Sequence, residues 1–207
     1  MYDIESLRQI AALSMLSVAS YFDIKKREVN DIVWIIFGGA GSILYLFEPI
    51  DSITILYLGI GVVIGIVWIL TRAFGQADGL ALIALAITLP AHDRLPVGII
   101  VSIVMSFLAA LYSLCCNMIY NISDLLHGRL FLGVCEKLHR KAFAFLVLHR
   151  KRRHERFVFP AQDGDKLVFH FRPKIDLEFS NDFHGYVTSA LPLIPFMLVS
   201  TILILLL

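Results

Sequence analysis

Three aspartates lie at the ends of apolar segments, where an acidic side chain is costly and is a candidate for function. Asp23 directly follows an apolar run, Asp78 lies between two apolar runs, and Asp124 ends a third. Two carboxylates that are brought together do not both ionise easily, so the pair holds a single proton. Aspartic proteases use this arrangement: the ionised acid draws a proton from water, and the protonated acid donates to the scissile carbonyl oxygen.

Asp23 and Asp78 are the favoured catalytic pair. Three cations follow Asp23 closely, at Lys25–Arg27, whereas small residues surround Asp78 and leave room for backbone, water or an extended peptide. The sequence does not show that the two acids meet, so two unrelated helix-end acids are the alternative. Asp124 is interpreted as an interfacial residue. The candidate substrate-binding residues beside Asp78 are Gly75, Gln76, Ala77 and Gly79, with Gln76 alternatively a solvated loop residue.

The elements that must position these acids are apolar. Hydrophobic residues make up 58% of the 207-residue chain and charged residues 17%, which excludes a disordered or nucleic-acid-binding chain. A transmembrane helix needs about 20 mostly apolar residues. We therefore expect an all-α polytopic membrane protein with six transmembrane helices, in the segments Ile4–Phe22, Ile32–Phe47, Ile53–Leu70, Gly79–Leu89, Val97–Tyr120 and Val187–Leu207.

The fourth segment is short for a bilayer, since its residues rise only about 16 Å against a hydrocarbon core of about 30 Å. Either its helix begins earlier, near Phe74, or the membrane is thin there, and both options place Asp78 within or at the edge of the bilayer. In the third segment, Gly61-x-x-x-Gly65 predicts close helix packing.

Basic residues fall mostly on one side of these segments. Of the 18 Lys and Arg, 16 lie after the first or third segment or between the last two. The positive-inside rule then predicts cytoplasmic basic loops, outside termini and an active site facing the cytoplasm in a plasma-membrane protein. Arg8 falls on the outer side, where we expect it to reach the interface.

The chain is predicted to have three parts. Residues 1–126 hold five transmembrane helices and both acids, residues 127–184 form a small basic cytoplasmic insertion, and residues 185–207 form the last transmembrane helix. The insertion either positions substrate or is a solubilising cap.

Within the insertion, Phe131–His149 predicts an interfacial helix. Arg156–Phe159 and Lys166–Phe171 read as short strands, with a turn at Asp163-Gly164. The basic run at 149–154 is interpreted as a surface that faces anionic lipid rather than nucleic acid, and His149 as solvated. No metal or cofactor is expected, because the chain has neither Cys-x-x-Cys nor His-Glu-x-x-His.

Two motifs resemble those of the type IV prepilin peptidases. Asp23-Ile-Lys-Lys-Arg-Glu-Val-Asn-Asp31 resembles their first-aspartate motif, and Gly75-Gln-Ala-Asp78 is similar to the Gly-x-Gly-Asp motif that names these intramembrane aspartyl proteases. The stretch Tyr186–Phe196 resembles their final helix, with a Thr and spaced prolines. Ala77 departs from the motif's second Gly, which matters if the backbone there is left-handed. The layout is most similar to the archaeal preflagellin peptidases and class III signal peptidases.

The resemblance implies a membrane-embedded aspartic endopeptidase with Asp23 and Asp78 as catalytic residues. Its partners would be the lipid bilayer and type IV pilin-like or archaellin precursors with class III signal peptides, whose short basic leaders it removes. A non-enzymatic transporter or assembly scaffold is the competing class, although transporters usually place their site near the midplane. Cleavage within a substrate's membrane helix is a third reading, which the interfacial position of the acids disfavours.

Overall fold

The computed structural model describes residues 4–47, 51–71, 74–92, 95–152, 155, 157–169 and 183–207. These residues form seven α-helices and seven short strands, so the chain is mostly helical rather than all-α. Two compact units are present, Met1–Leu108 with Pro192–Leu207, and Ala109–Leu191.

The first unit is built mainly from helices. In chain order its elements are α1 (Ile4–Lys26), α2 (Asp31–Ile43), a 3₁₀ turn (Leu44–Leu46), α3 (Ser52–Thr71), α4 (Gln76–Thr88), β1 (Ala91–His92), β2 (Leu95–Pro96), the start of α5 (Val97–Leu126) and α7 (Ile194–Leu205). The strands β1 and β2 pair antiparallel. The core contains buried residues of α1, α4, α5 and α7, including Met15, Leu82, Met105 and Met197.

Among the described residues, two helices are long and apolar enough to cross a membrane, α3 and α5. The helices α2, α4 and α7 are apolar but shorter, and α4 rises only about 20 Å. The expected set of six transmembrane helices is therefore not confirmed.

The last helix begins later than the sequence predicts. Tyr186–Ser189 forms strand β7, and α7 starts only at Ile194. The reason lies in two prolines: the residue before Pro192 is disfavoured in helical conformation, whereas Pro195 occupies the first turn of α7, where a missing N–H costs nothing.

Glycines allow α3 and α4 to pack closely. Gly61 and Gly65 are the buried residues of α3. A Cβ atom on Gly61 would lie 2.5 Å from the Cβ atom of Ala86, and one on Gly65 would lie 2.8 Å from the carbonyl oxygen of Gly79. The packing predicted for this glycine pair is thus confirmed, and α3 fixes the position of α4.

Arg8 does not reach the interface as expected. It is 6% exposed, donates to the carbonyl oxygen of Thr88 at 3.4 Å and stacks over the ring of Tyr45 at 4.0 Å. The Tyr45 hydroxyl donates to the carbonyl oxygen of Ile87 at 2.9 Å. The positive charge therefore lies at the carboxyl end of α4, where the helix dipole favours a cation.

The second unit combines helix and sheet. Its elements are the end of α5, α6 (Leu138–Val147), β3 (His149–Arg150), β4 (Val158–Pro160), β5 (Gln162–Asp163), β6 (Lys166–Leu167) and β7. The strands form an antiparallel sheet in the order β3-β7-β4 and a β5-β6 hairpin.

The insertion predictions are partly confirmed. Of the helix predicted over Phe131–His149, only Leu138–Val147 is helical. The first predicted strand corresponds to β4, although Arg156 at its start lies outside the described residues. The Asp163-Gly164 turn is present, with Gly164 left-handed. The second predicted strand is shorter, since β6 ends at Leu167. Residues 170–182, with the end of that predicted strand, and residues 153 and 154 of the basic run lie outside the described residues.

His149 is buried rather than solvated, with 1% of its surface exposed. Its two ring nitrogens lie 2.8 Å from Asn117 Oδ1 and 2.9 Å from Glu155 Oε1. Burial raises the pKa of Glu155, but the hydrogen bonds from His149 and from the Arg152 N–H outweigh it, so the pKa lies below its ordinary value. The network joins β3 to α5 within this unit.

We predict that Gly65→Ala destabilises the protein by about 1–3 kcal/mol, the usual cost of overpacking a core. The added methyl would meet Ile83 Cγ1 at 2.6 Å. Thermal unfolding in detergent measures the effect. Gly59→Ala is the matched control, because it adds the same methyl to the same helix with nothing within 4 Å. An equal loss of stability in Gly65→Ala and Gly59→Ala would contradict the close packing of α3 on α4.

Candidate active site

Asp23 lies near the carboxyl end of α1 and faces the start of α7. Its side chain is buried, and the residue is 8% exposed. Its Oδ2 atom accepts a hydrogen bond from the backbone N–H of Ile194, the first residue of α7, at 3.2 Å. The first N–H groups of a helix lack partners within the helix and carry partial positive charge, so this position favours a carboxylate.

Asp78 lies in the first turn of α4 and is also 8% exposed. Its Oδ2 atom accepts from the backbone N–H of Gly75 at 2.9 Å. Gly75 is the N-cap residue, and its carbonyl oxygen accepts from the N–H groups of Asp78 and Gly79. The side chain therefore turns back onto the residue that starts the helix, as an acid at the third helical position does in a capping box.

The two acids lie close enough for their carboxylates to interact electrostatically. They meet because α1 and α4 run antiparallel: Arg8, near the start of α1, contacts the end of α4, and Asp23, near the end of α1, approaches Asp78 at the start of α4. The structure thus brings together the two acids that the sequence favours.

Arg27 is a member of this site that sequence reasoning missed. Its guanidinium group interacts electrostatically with both Asp23 and Asp78. Its backbone has a φ of 58°, a left-handed conformation that costs energy for a residue with a side chain. The signal in the sequence was the run of three cations after Asp23, which was noted beside that acid and in its motif, but no role in the site was assigned to Arg27.

The loop residues differ in what they contribute. The backbone of Gly75 is extended, a conformation that any residue can adopt, so a glycine is needed there only because it has no side chain. A Cβ atom would lie 2.9 Å from Asp78 Oδ2. Ala77 lies within α4 and partly buried against the core, so its departure from glycine causes no left-handed strain. Gln76 is exposed at the first turn.

Gly79 lies against α3. A Cβ atom there would lie 2.5 Å from Ile69 Cγ1 and 2.9 Å from the carbonyl oxygen of Gly65. Its small size therefore serves helix packing, a role that the sequence analysis did not assign to it. A bulky residue at this position would disturb the α3–α4 contact as well as any approach to Asp78.

Asp124 belongs to the second unit and has a partner there. It is 4% exposed, and its Oδ1 atom forms an ion pair with Arg152 at 3.0 Å. This pairing accounts for a buried acid at the end of α5 without a catalytic role.

The arrangement suits proton transfer. Two neighbouring buried carboxylates favour a state in which one is ionised and the other protonated, and an adjacent guanidinium stabilises the remaining negative charge. Such a pair can supply a general base and a general acid to one reaction.

A model of the type IV leader peptidase family matches residues 10–114, just over half of the chain. The matched region contains Asp23, Asp78 and Arg27 together with α2, α3 and α4. No curated protein matches the chain. The family and the apolar helices indicate a membrane peptidase whose substrates are prepilin-type precursors.

We predict that Gly75→Ala lowers the rate of precursor cleavage by about 10- to 100-fold, because the new methyl displaces the Asp78 carboxylate. A cleavage assay with purified protein measures the rate, and thermal unfolding checks the fold. Gly39→Ala is the control, since a methyl there meets nothing within 4 Å. If Gly75→Ala cleaves as fast as this control, the close contact between Gly75 and Asp78 does not matter to the reaction.

Proposed function

Since the chain belongs to the type IV leader peptidase family, we propose that it is an aspartic endopeptidase of the plasma membrane with Asp23 and Asp78 as its catalytic pair. Its substrates are type IV pilin-like or archaellin precursors with class III signal peptides. It removes their short basic leaders at the cytoplasmic face of the membrane, with both of its termini outside.

The observation that carries this proposal is the proximity of two buried carboxylates on separate helices. Each carboxylate accepts a backbone N–H from the start of a helix, Ile194 for Asp23 and Gly75 for Asp78. Groups held in this way need little reorganisation during a reaction, which is how an active site stabilises developing charge.

The proposed chemistry is a hydrolysis in two proton transfers. The ionised carboxylate takes a proton from a water molecule as its oxygen attacks the scissile carbonyl carbon, and the protonated carboxylate donates its proton to the carbonyl oxygen. The resulting diol collapses when the acid formed in the first step protonates the leaving nitrogen. The carbonyl re-forms as a proton returns to the other carboxylate, so the pair again holds one proton.

The distribution of basic residues supports the proposed orientation. Loops rich in Lys and Arg favour the cytoplasmic side, and they follow the helix end that carries Asp23. A basic leader also stays in the cytoplasm, whereas the apolar helix that follows it enters the bilayer. The peptide bond between leader and helix would then lie at the depth of an interfacial pair of acids.

We predict that Asp23→Asn and Asp78→Asn each abolish cleavage of a basic-leader precursor, because an amide neither takes nor donates the required proton. The decrease in the size of the precursor on a denaturing gel, after incubation in reconstituted membranes, measures cleavage. Asp124→Asn is the matched control, as it changes an equally buried acid that pairs with Arg152. Full activity in either site variant would refute the mechanism, and an intact precursor with the wild-type protein would favour a transporter or scaffold.

We predict that Arg27→Gln moves the acid limb of the pH–rate profile to higher pH. The reason is that the ionised carboxylate loses a nearby positive charge and binds its proton more tightly. Lys25→Gln is the control, because it removes the same charge from an exposed side chain that contacts Tyr21. Identical profiles for both variants would show that Arg27 does not act on the pair.

A further inference from the structure

The second unit contains a basic cavity of about 250 Å³ that the proposed peptidase chemistry does not use. Three cationic residues from two segments line it: Arg129 after α5, and the adjacent Arg150 and Lys151 at β3. None of the described residues that line it is acidic. The cavity therefore suits an anion.

The walls of this cavity are held in place by hydrogen bonds. The turn that carries Arg129 is fixed by the N–H of Phe131, which donates to the Tyr186 hydroxyl at 2.6 Å, and by stacking of the two rings at 5.1 Å. These contacts hold Phe131 in a left-handed conformation, φ 53°. Gln162, which also lines the cavity, accepts from the Tyr186 N–H at 3.1 Å. Such strain is retained where the surrounding structure fixes it, and it is common at binding sites.

The position of Arg129 in the sequence indicates where the cavity lies relative to the bilayer. As a candidate membrane span, α5 rises about 45 Å over Val97–Leu126, close to the thickness of a bilayer with its headgroups. Arg129 follows the end of that span by three positions. A cation that follows the end of such a span is expected at the depth of the lipid phosphates.

An apolar residue stands beside the cations. Leu132 lines the same cavity and is 72% exposed. A free inorganic anion would gain nothing from this side chain, whereas a lipid would place its glycerol and acyl carbons against it. The combination of clustered cations and an exposed leucine is therefore the pattern expected for a lipid headgroup.

We propose that this cavity binds the phosphate group of an anionic lipid headgroup. The guanidinium groups of Arg129 and Arg150 match the geometry of phosphate oxygens and donate to them in pairs. Lys151 adds a third positive charge, and Leu132 contacts the apolar part of the lipid. Binding here is separate from catalysis, so it stands whether or not Asp23 and Asp78 cleave a precursor.

The test uses the full chain in detergent with short-chain dihexanoyl phosphatidylglycerol as the probe, at constant ionic strength. Thermal unfolding is followed as the lipid is titrated, and dihexanoyl phosphatidylcholine and inorganic phosphate are run in parallel. The variants are Arg129→Gln/Arg150→Gln and Leu132→Ser. The control is Lys137→Gln/Lys141→Gln, which removes the same charge from α6 and its cap, away from the cavity.

We expect saturable stabilisation by phosphatidylglycerol and at least about tenfold weaker binding in the double-arginine variant, with the lysine control close to wild type. Leu132→Ser should weaken lipid binding and leave inorganic phosphate unaffected. Equal loss in the arginine and lysine variants would overturn the proposal in favour of diffuse attraction to basic surface. No saturable stabilisation of the wild type, or equally tight binding of inorganic phosphate, would also overturn it, and unfolding temperatures without lipid identify a variant that simply misfolds.

Discussion

Burying two carboxylates within range of electrostatic interaction is the constraint on which the first unit depends. Each charge taken out of water costs several kcal/mol unless it is neutralised or hydrogen-bonded, and a second like charge nearby increases that cost. The surroundings of Asp23 and Asp78 reduce both costs. The N–H groups of Ile194 and Gly75 donate hydrogen bonds to the carboxylates, and Arg27 provides the opposite charge. The same constraint favours a single shared proton, so the feature that is costly for stability is the one that would supply an acid and a base in the proposed reaction.

The two acids stay together because helix packing fixes both ends of α4. At its amino end, Gly65 and Gly79 let the backbones of α3 and α4 approach, and any side chain at either glycine would push the start of α4 away. At its carboxyl end, Arg8 of α1 donates to Thr88. Because α1 carries both Arg8 and Asp23, contacts at the far end of α4 bear on the separation of the acids, and packing distant from the chemistry becomes part of the site.

The sequence predicted the parts of this site that are local and missed those that depend on tertiary contacts. Asp23 and Asp78 stand out because an acid beside an apolar run is rare, and Gly61-x-x-x-Gly65 because small residues at that spacing form a helix face. The burial of Arg8 and His149 was not predicted, because their hydrogen bonds to Thr88 and Glu155 form only in the folded chain and leave no local pattern in the sequence. The start of α7 was missed for another reason: the mostly apolar stretch begins at Val187, before the two prolines that delay the helix to Ile194.

Cations have different neighbours in the two units, so the two units favour ligands of different charge. Arg27 is one cation beside two acids, so the site retains no net positive charge to repel a basic leader. Arg129, Arg150 and Lys151 converge without an acid among the described residues that line their cavity, so a basic peptide would be repelled there. The basic leader of the proposed substrate is therefore disfavoured in this cavity. We therefore assign recognition of the proposed cationic leader to the region of the carboxylates, and the cavity to a ligand of the opposite charge.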